Sequence, residues 1–307
     1  MPDLTLTEEE RMLQSTVREF ADRELAPRAK EVDQKEEFSW ENWNGMAALG
    51  LMGIGIDSAY GGNGSGGFRH VAIVAEEVAR GDASASVSLL AHLSLGTTTI
   101  ARFGNEEQKK RLVPPLATGK GVAAWALTEP GSGSDAAALR TTATERDGTY
   151  FLNGSKTFIT NAGIAESIVV FATQDASKGH RGISAFVVEK GSSGLQLNAL
   201  HGKLGIRGSD TCEVVFQDTP VPARNLLGEE GRGFYYAMDI LDSSRIIVAA
   251  QCIGIGQAAL EAAVRYAQQR ETFGKTIAEH QAIQFMLADM ATEVHAARVA
   301  TMHSATL

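Results

Sequence analysis

A loop near the middle of the chain offers many polar groups to a ligand. Residues 125–135 read Trp-Ala-Leu-Thr-Glu-Pro-Gly-Ser-Gly-Ser-Asp, the end of an apolar strand followed by small residues. Such a loop exposes backbone N–H groups and hydroxyls that can bind a large polar molecule. A Gly/Ser turn between two strands has the same composition, so the loop alone does not separate a binding site from an ordinary turn.

A second segment, residues 156–163, pairs an aromatic ring with a hydroxyl. The alternation in Lys-Thr-Phe-Ile-Thr-Asn-Ala-Gly places Phe158 and Thr160 on one face of a predicted strand, two residues apart. Together they could pack on a flat ring and hydrogen-bond one of its nitrogens. The alternative is a core-facing Phe beside a surface Thr, and the segment taken by itself favours that alternative.

Two glycine-rich segments resemble phosphate sites but lack the context that such sites need. Residues 61–67 (GGNGSGG) are not followed by the Lys-Ser/Thr of a P-loop, and no strand precedes them. Residues 254–259 match the dinucleotide pattern GxGxxA but fall inside a predicted long helix, whose amides are already bonded. We predict a flexible connection at the first segment and close helix–helix packing at the second.

The residues before about 120 have helical spacing. Thr7 with Glu10 forms a capping box that opens a helix, and a later helix begins at Asn105 and ends near Pro114-Pro115. Apolar stripes recur between these points, and core packing is their simplest account. They are Leu13, Val17, Phe20 and Leu25; then Trp40, Trp43, Met46 and Leu49; then Val71, Val74, Ala75 and Val78.

The pattern changes to strands between about residues 121 and 232. Asp147-Gly148 predicts a two-residue hairpin turn, and Asn153-Gly154 predicts another turn soon after. Runs rich in β-branched and aromatic residues follow at 168–173, 183–188 and 213–216. We predict an antiparallel sheet or small barrel, and no parallel βαβ unit.

Helical spacing returns from about Gly233. One long helix runs to Arg270, and a second starts near Glu279 and is still running at Leu307. Two such helices form an αα-hairpin that exposes an apolar face unless further helices cover it, so we expect an incomplete bundle. The predicted fold class is α+β, with a helical N-terminal domain (1–120), a middle β domain (121–232) and a C-terminal helical domain (233–307).

Composition excludes several function classes. The 307 residues carry a net charge of −9 and no Lys/Arg cluster, which argues against nucleic-acid binding. Cys212 and Cys252 form neither a disulfide framework nor a CxxC pair, so no metal site is predicted. No apolar run approaches a membrane span, and no targeting segment is seen at the start. We therefore expect a cytoplasmic protein, or the mature form of an imported one.

Taken in order, the motifs of this chain resemble those of the acyl-CoA dehydrogenase family. They are LTEPGSGSD (127–135), FITNAG (158–163), LGIRGSDT (204–211), LDSSR (241–245), RETFGK (270–275) and EHQ (279–281). The resemblance covers essentially the whole chain and is closest to the short-chain, butyryl-CoA type. It implies FAD as the cofactor, an acyl-CoA substrate, and an electron-transfer flavoprotein as the partner that takes the electrons.

The resemblance also implies roles for individual residues. Phe158 stands where many members have tryptophan, so ring stacking would be kept by a smaller aromatic. Thr160 matches the hydroxyl that bonds flavin N5, and Ser134 matches a serine shared by FAD and the bound thioester. The remaining matches are Trp125, Leu127 and Thr128 at the flavin ring, and Asp242 and Arg245 at the acyl-CoA.

Four further matches imply a homo-oligomer, either a dimer or a tetramer. In the family the corresponding residues reach the FAD of a neighbouring subunit, and a guanidinium fork suits pyrophosphate oxygens. Ordinary exposed helix residues are the alternative interpretation. The four are Arg270, Thr272, Phe273 and Gln281.

The implied reaction is FAD-dependent α,β-dehydrogenation of a short- or medium-chain acyl-CoA to the trans-2-enoyl-CoA. In most members the base is a late glutamate followed by Gly-Thr, which we expect beyond Leu307. A minority place the glutamate directly before the arginine that matches Arg245, and that position is Ser244 here. Asp242 is close in sequence, but its implied role is substrate binding.

Two other function classes stay open. One is a truncated, non-catalytic relative that binds acyl-CoA or a protein, and such a relative need not keep FAD. The other is a flavin oxidase or monooxygenase, which would consume oxygen and need no electron-transfer partner. Flavin content and oxygen consumption separate these classes from the dehydrogenase.

Overall fold

The computed structural model describes residues 5–64 and 66–307, so Ser65 of the predicted flexible loop lies outside the described residues. The N-terminal region is helical. π-helical turns at Ala21–Leu25 and Ala91–Thr97 lengthen its helical segments. The α-helices are α1 (Glu8–Phe20), α2 (Ala26–Lys35), α3 (Trp40–Ala48), α4 (Phe68–Gly81), α5 (Ala83–Leu90), α6 (Thr98–Phe103) and α7 (Glu106–Ala117).

The predicted helix starts are confirmed. The Thr7 hydroxyl accepts the Glu10 N–H at 3.1 Å, and the Glu10 carboxylate accepts the Thr7 N–H at 2.8 Å. Asn105 and Gln108 form the same reciprocal pair at α7. Helix α7 runs through both prolines to Ala117, slightly past its predicted end. Most residues of the stripes pack as a core, but Trp40 and Leu49, at the two ends of the second stripe, are exposed.

One sheet forms the middle region, in the order β6-β7-β3-β2-β4-β5-β8. The predicted hairpin at Asp147-Gly148 joins β2 to β3, and both turn residues have positive φ, as a tight two-residue turn requires. The strands are β1 (Ala123–Ala126), β2 (Thr142–Arg146), β3 (Thr149–Thr160), β4 (Ser167–Thr173), β5 (Ile183–Glu189), β6 (Leu195–Ala199), β7 (Thr211–Pro222) and β8 (Leu226–Leu227).

One turn prediction for this sheet is wrong, and the predicted antiparallel sheet also contains parallel pairing. Asn153 and Gly154 lie inside β3, where the pairing with β7 shifts register between Leu152 and Gly154. A Cβ on Gly154 would lie 2.7 Å from Thr141 Oγ1, so the glycine permits a close strand approach and does not mark a turn. The sheet is also not purely antiparallel, because β1 pairs with β4 in parallel, with the β2–β3 hairpin between them in the chain.

Two long helices follow, α8 (Gly233–Gln269) and α9 (Gln281–Ser304). Helix α9 ends at Ser304, before its predicted extent. A small hairpin of β9 (Glu271–Thr272) and β10 (Lys275–Thr276), which the sequence analysis missed, lies between the helices. A Cβ on Gly254 would lie 2.1 Å from the Glu76 carbonyl oxygen, which confirms the predicted close packing of α8 on another helix. As predicted, apolar side chains on the helix pair stay exposed, among them Val248, Phe285 and Met286.

Helix α8 corrects one expectation about membranes. By length and composition alone it could cross a bilayer, since its most apolar window has a mean hydropathy of 1.6 and is 28% buried. The prediction that no apolar run approaches the length of a membrane span is therefore wrong as a statement about length and hydropathy. It overlooked that α8 is rich in Ala and Ile, which raise its hydropathy, while Gly254 permits the close contact with α4.

Candidate active site

The two segments singled out in the middle of the sequence lie side by side. The Thr157 N–H donates to the Thr128 carbonyl at 2.9 Å, and the Lys156 ammonium donates to the Leu127 carbonyl at 3.1 Å. Consecutive residues of β3 therefore hold consecutive carbonyls of the segment that follows β1. A loop that the sequence left ambiguous is thus fixed to a strand that carries an aromatic ring and a hydroxyl.

The loop after β1 is closed by its own hydrogen bonds. Glu129 and Ser132 exchange backbone bonds of 2.9 and 3.1 Å, and the Ser132 hydroxyl donates to the Asp135 carbonyl at 2.6 Å. A Cβ on Gly131 or Gly133 would meet nothing within 4 Å, and Ser134 is exposed. The loop therefore presents bare backbone and a hydroxyl to open space.

A bulge in β3 turns Phe158 outward. The pairing of β3 with β7 shifts register between Lys156 and Ile159, and Phe158 lies at φ 59 with 71% of its surface exposed. Ile159 is buried and Thr160 is half-buried. Asn161 also has a positive φ of 68. Two non-glycine residues in this conformation around one hydroxyl indicate a backbone held in place by its surroundings, as at many functional sites.

Sequence reasoning missed a buried ion pair under this site. Lys156 is fully buried, and its ammonium lies 2.7 Å from a carboxylate oxygen of Glu129. Burial lowers the pKa of Lys156 to about 8, although the charge of Glu129 opposes the shift. For Glu129 burial acts to raise the pKa, but the charge and hydrogen bond of Lys156, with the hydrogen bonds from Thr141 and Arg140, outweigh burial and lower the pKa. The signal was available, because Lys156 shares the inward register of Tyr150 and Leu152 before the bulge.

Two further buried side chains tie the strands to the helices. Asn161 Nδ2 donates to the Ser88 carbonyl at 2.8 Å and to the Ala123 carbonyl at 3.4 Å. His92 Nδ1 accepts the Ala123 N–H at 2.9 Å, so Nε2 carries the proton and donates to the Leu116 carbonyl at 3.2 Å. Burial lowers the pKa of His92 to about 4. The first residue of β1 is therefore bonded from both sides.

A cavity of about 180 Å³ lies between the N-terminal helices and α8. Its wall includes Phe68 of α4, Leu93 and Ser94 of the second π turn, and Ser243 and Ser244 of α8. That π turn also packs on β1, since a Cβ on Gly96 would lie 2.6 Å from the Ala123 Cβ. The cavity and the strand that leads to the loop thus share one wall.

Asp242 and Arg245 flank the cavity serines on α8. Both side chains are exposed. Residues three apart on a helix lie on nearby faces, so the carboxylate and the guanidinium can meet one bound molecule.

The remaining predicted cofactor residues lie elsewhere, at the turn between α8 and α9. Thr272 Oγ1 lies 3.0 Å from His280 Nε2, and Phe273, 96% exposed, stands with its ring centroid 6.2 Å from that of His280. The Arg270 carbonyl accepts the Ile277 N–H at 2.8 Å, and the side chains of Arg270 and Gln281 are exposed. The contacts of this turn are local, so within one chain these residues do not join those of β1 and β3.

Comparison with known proteins gives a consistent result. Three family models match: the N-terminal domain of acyl-CoA dehydrogenase over residues 7–120, its middle domain over 124–219 and its C-terminal domain over 231–307. An acyl-CoA dehydrogenase of Bacillus subtilis (strain 168) is 47% identical over 302 residues, which is 98% of this chain and 79% of the relative.

Solved structures are similar over the same extent. Butyryl-CoA dehydrogenase from Megasphaera elsdenii superposes with a TM-score of 0.96 at 42% identity, covering 99% of this chain and 80% of that one. A chain in the structure of the electron transferring flavoprotein of Acidaminococcus fermentans superposes at 0.97 with 44% identity, covering 100% and 80%. The three matching models span most of the sequence, and the chain belongs to the acyl-CoA dehydrogenase family.

Proposed function

We propose that the protein is a dehydrogenase that converts a short- or medium-chain acyl-CoA to the trans-2-enoyl-CoA and passes the electrons to an electron-transfer flavoprotein. The observation that carries the proposal is the junction of the 127–135 loop with the bulged β3, beside a partly apolar cavity. Family membership and the named relatives support the substrate class and the partner.

The residues at this junction fit FAD. Phe158 offers an exposed ring, Gly131 and Gly133 leave room for a ligand against the backbone, and Ser134 adds a hydroxyl. Trp125 Nε1 is buried and has no hydrogen-bond partner among residues 5–64 and 66–307, so it is a donor that a ligand could use. When bound, FAD supplies the two-electron redox chemistry.

This chain's own side chains would orient the reactants. Phe158 would cover the flavin ring while Thr160 donates or accepts a hydrogen bond at its edge. Trp125, Leu127 and Thr128, in the segment held to β3, would also contact the flavin ring. Ser134 would contact both the cofactor and the thioester.

The cavity would hold the acyl chain. A volume of about 180 Å³ bounded by Phe68, Leu93 and α8 suits a short or medium apolar chain. Asp242 and Arg245 would bind the polar part of the acyl-CoA outside it, and Arg245 can pair with phosphate oxygens.

We assign no general base among residues 1–307. The position before Arg245 is held by Ser244, whose hydroxyl is already bonded to the Leu241 carbonyl at 3.1 Å. Asp242 keeps the substrate-binding role.

Further parts of the proposal concern assembly and location. Arg270, Thr272, Phe273 and Gln281 would reach the FAD of a neighbouring subunit in a homodimer or homotetramer. The domains would be 1–120, 121–232 and 233–307, since α7 ends at Ala117, β1 begins at Ala123 and α8 begins at Gly233. A cytoplasmic location is proposed from the bacterial relatives.

Anaerobic titration of the FAD-loaded protein with butyryl-CoA tests the function. We expect butyryl-CoA to perturb the visible flavin absorbance when it binds. Bleaching of the flavin also needs a general base, so residues 1–307 alone should bleach it at least about a hundredfold more slowly than a chain that supplies the family's late glutamate, and in that chain the electrons should be recovered in an added electron-transfer flavoprotein. Arg245→Ala should weaken the binding perturbation, whereas Arg265→Ala on the same helix should not. A protein that never binds FAD would instead be a non-catalytic relative, and oxygen consumption matching turnover would indicate an oxidase.

A further inference from the structure

The buried pair Lys156–Glu129 connects more of the site than its two side chains. One oxygen of the Glu129 carboxylate accepts the Arg140 N–H at 2.6 Å, and the other accepts the Thr141 N–H at 2.9 Å and the Lys156 ammonium at 2.7 Å. Lys156 in turn holds the Leu127 carbonyl at 3.1 Å. The pair therefore connects β3, which carries Lys156, to both ends of a longer loop, residues 127–141, that includes the 127–135 segment.

Burial makes this arrangement costly unless every bond is made. Taking a carboxylate and an ammonium out of water costs several kcal/mol per ion, and only close, well-bonded pairs recover it. Lys156 is fully buried, and Glu129 is 7% exposed. Two apolar residues could fill the same space without that cost, so stability alone gives no reason for an ion pair here.

The position of the pair provides a reason. The segment it holds contains Leu127 and Thr128, and the loop it closes contains Ser134. One residue beyond Lys156, the Thr157 N–H binds the Thr128 carbonyl at 2.9 Å, and the next residue is the outward-turned Phe158. The two faces of the site are thus joined through residues 156 and 157.

We propose that Lys156 and Glu129 are positioning residues, whose ion pair holds both ends of the 127–141 loop against β3. The pair thereby sets where the loop meets the cofactor. The consequence for FAD rests on the proposed function, whereas the consequence for the loop does not.

The test uses a double variant, because a single one would leave a buried charge unpaired and could fail to fold. In Lys156→Met/Glu129→Met both charges are replaced by apolar side chains of similar length. Lys190→Met/Glu166→Met removes an exposed ion pair of 3.0 Å just outside the adjoining ends of β5 and β4 and is the matched control. Each single variant completes a double-mutant cycle.

The first measurement is amide hydrogen exchange of the FAD-free protein, which is independent of the proposed function. In the double variant we expect the amides of Arg140, Thr141 and Thr157 to exchange at least tenfold faster, with β4 and β5 unchanged. The control should match wild type. Unchanged exchange at these three amides would overturn the proposal even if no form of the protein bound FAD.

The second measurement follows FAD itself, by its dissociation constant and visible spectrum. We expect the double variant to recover the thermal stability that each single variant loses. It should nevertheless bind FAD roughly tenfold more weakly, and the visible absorption band of the flavin should be broader and less resolved. A pair that only stabilises the fold would regain flavin affinity together with stability, and that result would overturn the positioning role. Wild-type protein that bound no FAD would refute the proposed function, and the exchange experiment would still decide the role of the pair in the loop.

Discussion

The predicted cofactor residues fall into two regions that are built differently. Those on the β1 loop and β3 are held by buried groups: Lys156 and Glu129 beneath the loop, Asn161 and His92 at the start of β1. Those at the α8–α9 turn are exposed and contact only their own segment. We call the first region, on the β1 loop and β3, the preorganised surface, because buried groups within one chain hold it. We call the second region, residues 270–281, the arm.

The arm is nevertheless ordered. Strands β9 and β10 pair antiparallel at Thr272–Lys275, and Phe273 and Gly274 form their turn with positive φ. The Thr276 hydroxyl and the Glu279 carboxylate then cap the short helical turn that follows. A rigid arm with an exposed aromatic tip is suited to a surface on another molecule, which agrees with a site completed by a second subunit.

If the first region depends on its buried groups, acidification should lower the free energy of unfolding. This is the largest effect that we expect. Unfolded His92 takes a proton near its ordinary pKa of 6.5, whereas folded His92 does so only near 4. The unfolded state therefore binds more protons between these values, and stability falls as the pH drops through that window. The loss at the lower end is roughly 3 kcal/mol.

Urea unfolding at neutral pH and at about pH 4.5 measures this effect. His92→Gln keeps a hydrogen-bond acceptor and a donor but cannot titrate, so its stability should fall less on acidification than that of wild type. His201→Gln, at an exposed position, is the control. Equal acid dependence in wild type and His92→Gln would show that this histidine does not secure β1.

The arm should control FAD retention, with the next largest effect. Arg270→Ala would remove the proposed charge-assisted pair to an FAD phosphate, and we expect it to weaken FAD binding roughly tenfold to a hundredfold. Arg265→Ala, about one turn earlier and exposed on α8, should leave binding unchanged. The measurement is FAD occupancy of the purified variants. Equal occupancy would mean that the arm does not reach the cofactor.

Mixed oligomers sharpen the distinction between a shared site and two separate ones. Arg270→Ala spoils the arm and Phe158→Asp spoils the β3 surface, so each variant alone should retain little FAD. In randomly mixed dimers half the molecules are heterodimers with one intact site each, and about a quarter of all sites should recover FAD. No recovery on mixing would place both regions at the site of a single subunit.

The sequence was sufficient where the determinants are local. The Thr7–Glu10 cap, the helix start at Asn105 and the Asp147-Gly148 turn each depend on neighbouring residues, and all three were predicted. The two candidate segments of the middle region were singled out because their motifs are contiguous, and the structure brings them side by side. The β9–β10 hairpin was missed because its strands are only two residues long.

The errors share a different cause, which is dependence on partners distant in sequence. Asn153-Gly154 has turn composition, yet pairing with β7 keeps it inside a strand. The parallel pairing of β1 with β4 requires contacts across about 40 residues. Lys156 is buried only because Glu129, 27 residues earlier, faces it. The alternation along β3 indicates that Lys156 faces inward, but no local pattern specifies which residues these segments meet.

The smallest expected effect concerns Thr160 and distinguishes what the two regions control. Changes in the arm should alter FAD occupancy, whereas a change at Thr160 should alter the reduction potential of the bound flavin. Thr160→Val keeps the side-chain shape and removes one hydrogen bond of roughly 0.5–1.5 kcal/mol, which corresponds to a potential shift of up to about 30 mV for a two-electron couple. Spectroelectrochemistry measures the potential, and Thr144→Val on exposed β2 is the control. Because Ile159 and Asn161 hold the backbone on either side, the fold and FAD occupancy should be retained. An unchanged potential with full occupancy would make Thr160 an ordinary strand residue, and the preorganised surface would then act on the flavin through Phe158 and the loop alone.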